Sequence, residues 1–132
     1  MKTIAFLPNV NEVPQREAQV FFLPVYDRIH RQVSASDVVM IRGDGNYTLF
    51  YFSSGKKLMV SKTLKQYETL LGAHSFVRIH KSYLINLHHL EQYDESHEEV
   101  VMLKSGLRAG VSRRRKKEFQ AKAQSFFNQV AI

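Results

Sequence analysis

The stretch "FVRIHKSYLINLHHL", residues 76–90, alternates in character along most of its length. Val77, Ile79, Tyr83, Ile85 and Leu87 share one face of an extended chain, and Phe76, Arg78, His80, Ser82 and Asn86 fall largely on the other. A period of two marks a strand, because successive side chains point to opposite faces of a sheet. Lys81 breaks the pattern by landing on the apolar face. A lysine is very rarely fully buried, so the chain is expected to bend around residues 80–82 and carry Lys81 out of the core.

Upstream, "QVFFLPV" (19–25) and "HRQVSASDVVMI" (30–41) are rich in β-branched and aromatic residues, with breaks at Asp27 and at Ser34–Asp37. They read as strands. In "RGDGNYTLFYFSSGKKLMV" (42–60), Gly43, Asp44, Gly45 and Asn46 read as a turn, 47–52 as an aromatic strand, 53–56 as a second turn and 57–60 as the returning strand. Downstream, Ser105-Gly106 is expected to turn a hairpin between strands at 99–104 and 107–111. Two segments are helical. Thr63 with Gln66 makes a capping box for a short helix whose apolar face is Leu64, Tyr67 and Leu71, with Gly72 as its stop. Phe119, Ala123, Phe126, Phe127 and Val130 recur at spacings of three and four, the stripe of a C-terminal helix with Ser112 as its expected N-cap. The fold class expected is mainly β, antiparallel sheets with one short internal helix and a C-terminal helix.

The chain has 132 residues and no internal repeat, enough for one domain with a real core. Cysteine is absent, which excludes disulfides, thiolate catalysis and Cys-based zinc sites and fits a reducing cytoplasm. No apolar run approaches the roughly 18 residues needed to span a bilayer, and Pro8, Asn9, Asn11 and Glu12 interrupt the amino terminus before a signal peptide could form. A cytoplasmic protein with no membrane partner is expected. Residues 1–19 are expected to be a tail or an added strand, and 20–132 the domain proper.

The formal net charge is +7, and all of the excess lies in the last quarter. Residues 104–132 carry eight Lys or Arg against Glu118 alone, whereas the preceding 103 residues balance. Glu91, Asp94, Glu95, Glu98 and Glu99 cluster just upstream, so the surface should be polarised. Five consecutive cations, Arg113 to Lys117, stand at the expected start of the last helix, where they oppose the macrodipole. A bound phosphate would reverse the sign, accepting hydrogen bonds from free backbone N–H groups and from Arg and Lys; the alternative is a solvated charge run carried by a well-packed helix.

"GDGNYT", then after a helix "FVRIHKSYLIN", then "GLRAGVSRRRKKEF", in this order and spacing, resembles the LytTR-type DNA-binding domain of bacterial transcription regulators, over roughly residues 20 to 120. The resemblance implies elongated, packed β-sheets that bind duplex DNA through loops entering successive major grooves, with no recognition helix. Carried over residue by residue, it implies base contacts at Lys81 in "RIHKS", at Arg113 and, in the loop before "YTLF", at Asn46 with Tyr47 beside it. The chemistry of these side chains suits the role. Arg pairs bidentately with guanine, Lys reaches the same acceptors, and Asn pairs with adenine. Lys62, His80, Ser82, Arg114, Arg115, Lys116 and Lys117 are the expected phosphate contacts, although the four consecutive cations cannot all point one way. His80 has a second reading, as a histidine satisfied by backbone within the fold.

The resemblance makes the chain a transcription regulator that acts on double-stranded DNA. In the commonest layout of that family a phosphoacceptor receiver domain comes first, and here only about 20 residues precede the resemblance, so a stand-alone domain is expected. Its control would then come from expression level, self-association or a separate regulatory partner. A homodimer is expected at least on DNA, since one small module contacts too little DNA for high specificity. The alternative is a β domain that binds single-stranded nucleic acid or RNA without sequence preference, its aromatics stacking on bases. An enzyme finds little support. Six histidines show no His-Glu-x-x-His spacing, His88 and His89 are expected to point to opposite faces of a strand, and "GDG" lacks the Lys-Ser/Thr of a phosphate loop. His97, among Glu95, Glu98 and Glu99, is the one place where an adventitious metal could sit. No cofactor and no metal is expected.

Overall fold

A computed structural model describes residues 3–5, 20–24, 30–72, 75–95 and 99–130. The chain is mainly β, with antiparallel pairing throughout. Its centre is a five-stranded sheet of β4 (Val38–Asp44), β5 (Tyr47–Phe52), β6 (Lys57–Val60), β7 (Phe76–His80) and β8 (Tyr83–Asn86), in the order β6-β5-β4-β8-β7. A four-stranded sheet has the order β1-β9-β10-β11, from β1 (Thr3–Ala5), β9 (Leu90–Asp94), β10 (Val100–Leu103) and β11 (Arg108–Gly110). A two-stranded ribbon joins β2 (Val20–Pro24) to β3 (His30–Ser34). Thr3–Ala5 thus pair as an edge strand on β9, whereas residues 6–19 lie outside the described residues.

Both faces of the central sheet are covered, which the alternation in 76–90 did not disclose. On one face Val77, Ile79, Ile85 and Leu87 pack with Tyr93, Val101, Leu103 and Ala109 of the four-stranded sheet and with Phe119 and Ala123 of helix α2 (Lys116–Val130). On the other, Ile41, Phe50, Val60, Phe76 and Leu84 pack with Val33 and with Leu64, Tyr67 and Leu71 of helix α1 (Leu64–Leu71). Residues 76–90 are therefore two strands of a hairpin, β7 and β8, followed by a 3-10 turn at Leu87–His89. His88 and His89 sit in that turn, not in the strand expected for them. Asn86, expected on the more polar face, is fully buried. Its amide nitrogen donates to the carbonyls of Ala35 (3.2 Å) and Val38 (2.9 Å), and its oxygen accepts from the Ser75 hydroxyl (2.7 Å) and the His88 N–H (3.1 Å). All four of its polar valences are used, as a buried amide requires.

Local chemistry fixes the connections. The Thr63 hydroxyl accepts from the Gln66 N–H and the Gln66 side chain accepts from the Thr63 N–H, completing the capping box. The β4–β5 turn is tighter than expected, because Gly43 and Asp44 belong to β4 and Gly45-Asn46 alone make the turn. Gly45 has φ 63°, which suits the first central position of a two-residue hairpin loop. Gly43 answers to packing instead: a Cβ there would lie 3.0 Å from that of Leu64. Between Val38 and Met40 the ladder to β5 shifts register, so that Val39 and Met40 both serve the same core cluster.

The last helix also begins later than expected. Ser112 opens a 3-10 turn at Arg113–Arg115 without a side-chain capping bond, and α2 starts at Lys116. On α2, Phe119 and Ala123 are buried, Phe119 standing edge-on to Tyr93 with ring centroids 5.0 Å apart. Lys122, counted in the basic tail, turns inward and donates to the carbonyls of Gly72 (2.8 Å) and Phe76, tying α2 to the end of α1.

A buried tyrosine and a half-buried histidine give direct tests. The buried Tyr67 hydroxyl has no hydrogen-bond partner among the described residues, and burial pushes the phenol up to about 12. Removing such an orphan group relieves a desolvation cost, so Tyr67→Phe should melt no lower than the parent protein in thermal denaturation. His89 is held below its ordinary pKa, chiefly by burial, and its Nε2 donates to the Ser36 carbonyl at 2.7 Å. As pH falls through the ordinary histidine value of about 6.5, the unfolded chain takes up a proton that the folded state refuses, so stability drops. Melting temperature should fall between pH 7.5 and 5.5, and His89→Gln should lose part of that fall.

Candidate nucleic-acid interface

The register of the central sheet brings four separate segments to one of its ends. Arg42 pairs with Tyr83, and the Gly43 N–H donates to the Ser82 carbonyl at 2.9 Å, so the 45–46 and 81–82 turns project from the same edge of adjacent hairpins. Val60 pairs with Thr48, and the Thr48 hydroxyl donates to the Lys62 carbonyl, which places Lys62 beside the 45–46 turn. On the far side the Ser112 N–H donates to the Ile79 carbonyl at 2.8 Å, which starts the 113–115 turn beside the end of β7. Across this end of the sheet the order is therefore Lys62, Asn46 with Tyr47, Lys81 with Ser82, then Arg113. Five spacings between hydrogen-bonded chains make a row of roughly 24 Å.

Each predicted position has a definite environment. Asn46, Lys62, Lys81, Arg113, Arg114 and Lys117 are exposed, and Tyr47 is 41% exposed. Ser82 and His80 are half-buried, and His80 Nδ1 accepts from the Ser82 N–H at 3.1 Å. That bond selects the tautomer with the proton on Nε2. The ring is thus anchored through one nitrogen to the backbone and leaves the other as a donor. Tyr83 lies against it, 5.4 Å between centroids.

The five consecutive cations divide into two groups. Arg115 reaches Glu68 at 3.4 Å and Lys116 reaches Glu99 at 2.6 Å, and the Glu99 carboxylate holds the Lys116 ammonium above its ordinary pKa. Arg113, Arg114 and Lys117 make no ion pair among the described residues. The conflict with the helix dipole is smaller than the sequence implied: three of the cations precede α2 in the 3-10 turn, and Glu118 stands in the first turn of the helix.

Sequence reading overlooked the side chains that hold this edge in shape. Arg78 is nearly buried, with 12% of its side chain exposed. Its Nε donates to the His80 carbonyl at 3.0 Å, one terminal nitrogen to the Lys81 carbonyl and the other to Glu68 at 2.8 Å. The Glu68 carboxylate in turn holds Arg115, so α1, the 81–82 turn and the 113–115 turn meet at one ionic cluster. A cation on the polar face of an alternating strand was the available signal for Arg78, but its partner Glu68 lies ten residues away, and Arg115, which shares that carboxylate, lies 47 residues from Glu68. Arg42, exposed on β4 and the cross-strand partner of Tyr83, adds a cation near the same edge.

Among the described residues no group of three or more His, Asp or Glu side chains is placed to hold a metal ion; His74 and His97 lie outside them. Nor is any helix among them long and apolar enough to cross a membrane.

Comparison with known proteins agrees with this architecture. The chain is 26% identical over 114 residues to the transcriptional regulatory protein LytR of Staphylococcus aureus strain bovine RF122 / ET3-1, covering 85% of this chain and 46% of that protein. It is likewise 26% identical over 113 residues to LytR of strain N315, covering 84% and 45%. The chain therefore spans a little under half the length of these relatives. In fold it is similar to a LytTr DNA-binding domain from Bacillus cereus, described as part of a methyl-accepting/DNA response regulator. The TM-score is 0.68 at 21% identity, over 81% of this chain and 97% of that one. Residues 28–124 match the LytTr DNA-binding domain family itself, and with three quarters of its length inside that match the chain belongs to the family.

Proposed function

We propose that this chain binds duplex DNA in a sequence-dependent way, as the DNA-reading part of a transcription regulator, through the row of loops at one end of its central sheet. The observation that carries the reading is the convergence of Lys62, Asn46, Lys81 and Arg113, far apart in sequence, on one edge with their side chains exposed. A row of about 24 Å is twice the roughly 12 Å width of a major groove. Laid across the duplex, it extends past the walls of a single groove, so its loops can meet base edges within the groove and phosphates beside it. Asn46, Lys81 and Arg113 take the base contacts, with Tyr47 flanking Asn46.

The division of the basic run supports roles within it. Arg114 and Lys117 are open to phosphates, together with Lys62, Ser82 and the Nε2 of His80. Arg115 and Lys116 are engaged by carboxylates, and their charges are already offset. A single-strand or RNA binder would present a platform of aromatic rings. Here Phe50, Phe76 and Phe119 are buried, Phe126 and Phe127 pack against the core, and of the Phe and Tyr side chains whose burial is described, those from residue 47 onward, Tyr47 alone is exposed. Duplex DNA is the better fit. One domain of this size contacts few base pairs, so two copies on paired half-sites would supply the affinity of a specific regulator.

Selection from a randomised double-stranded library at about 0.15 M salt, where non-specific electrostatic binding is already weakened, should enrich a short motif. Salt-sensitive binding without enrichment would refute sequence dependence. On the selected site, Lys81→Ala or Arg113→Ala should cost about 1 to 3 kcal/mol and relax the preference for particular bases. Lys117→Ala should weaken all duplexes alike and lower the salt slope by about one, whereas Lys116→Ala, whose charge Glu99 offsets, should change the slope by less. Binding titrations on matched and scrambled duplexes across a salt series separate these outcomes.

A further inference from the structure

We infer that Glu68, an acidic residue on α1, is a specificity-determining positioning residue: its carboxylate sets the spacing between the Lys81 and Arg113 loops and so favours one DNA sequence over others at the expense of general affinity for the polyanion. This inference rests on the DNA-binding reading above. Glu68 belongs to none of the loops on the sheet edge, yet one of its oxygens is 2.8 Å from Arg78 and the other 3.4 Å from Arg115. Arg78 in turn donates to the carbonyls of His80 and Lys81, which fixes the backbone from which the Lys81 side chain leaves. Arg115 closes the 3-10 turn that begins at Arg113, its N–H donating to the Ser112 carbonyl at 3.1 Å. Two base-reading side chains are thus referred to one carboxylate.

The partners differ in exposure in an informative way. The side chains of Glu68, Arg78 and Arg115 are 32%, 12% and 23% exposed, so the cluster is shielded enough to hold a geometry yet remains next to the DNA-facing edge. A negative charge beside a phosphate-binding surface weakens non-specific attraction, which depends on counterion release and hence on local positive charge. Fixed loop spacing, in contrast, favours only those duplexes whose base edges fall at that spacing, because rigid presentation lowers the ordering cost of the matched complex. The two effects act in opposite directions on scrambled and matched DNA. A merely structural role for Glu68 would reduce binding to both in proportion.

The experiment uses the whole 132-residue chain, the duplex selected above and a scrambled duplex of equal length, with two variants. Glu68→Gln removes the charge and the clamp together. Glu68→Asp keeps the charge but, one methylene shorter, cannot span both arginines. For Glu68→Gln the ratio of matched to scrambled affinity should fall about tenfold, while scrambled binding stays equal or becomes tighter. For Glu68→Asp the ratio should also fall, with the salt slope unchanged, and this variant carries the test should Glu68→Gln melt before binding can be measured. In the Glu68→Gln background Arg113→Ala should lose most of its effect on the ratio, since the two substitutions disable one device. A parent protein with a strong sequence preference that both variants retain within twofold would overturn the positioning role and leave the DNA-binding reading intact. A parent protein with no preference at all would overturn both.

Discussion

The guanidinium of Arg78 is the point at which the loops of this domain are tied together. A planar group with five donors can satisfy a turn and a carboxylate at once, where an ammonium on a flexible stem could not hold the same fork. Here one edge of the fork closes the bend at residues 80–82 and the other engages Glu68 on α1. The arginine is nearly buried, so it needs that carboxylate: an uncompensated charge in this position would cost several kcal/mol. The bend that exposes Lys81 is therefore built from a nearly buried charge and its partner, and the outward-pointing lysine depends on the inward-pointing arginine three positions before it.

Cations in this chain do two kinds of work, and the structure separates them. Arg78, Arg115, Lys116 and Lys122 are turned toward carboxylates or carbonyls of the fold. Lys62, Lys81, Arg113, Arg114 and Lys117 face outward from it. The net charge of the chain thus overstates what a partner meets at any one place and understates how sharply positive the sheet edge is. Half-buried Lys122, with its pKa lowered chiefly by burial, acts as a strut between α2 and the end of α1 rather than as part of a basic tail.

How much of this could be read from the chain alone follows the range of the interactions involved. The capping box of Thr63 and Gln66, the turns at Gly45 and Gly106 and the alternation that ejects Lys81 rest on residues a few positions apart, and all were legible. The family motifs pointed to Asn46, Lys81 and Arg113, and the structure shows these three exposed at one end of the sheet. What escaped were features set by distant partners. Leu84 and Phe76 are buried because α1 covers the second face of the sheet, which no period within 76–90 reveals. The 3-10 turn at 113–115 forms where the chain crosses from β11 to β7, and the Arg78–Glu68–Arg115 cluster joins segments that only the folded sheet brings together. The tip of β4 was misjudged for the same reason: Gly43 reads as a turn glycine locally but serves the close approach of Leu64.

Asn86 gives the arrangement its cooperative character. Its amide donates across sequence separations of 48 and 51 residues, so it is satisfied only when the segment before β4 has docked on the end of β8. A partly docked state would keep the amide dry without partners, at about 1 to 3 kcal/mol for each unmet group. Sliding one hairpin along the other by a residue would incur the same penalty and turn apolar side chains to the wrong face. The domain is thereby discouraged from holding its two central hairpins in any intermediate alignment. The loops at the far end are offered together in one register, or not at all.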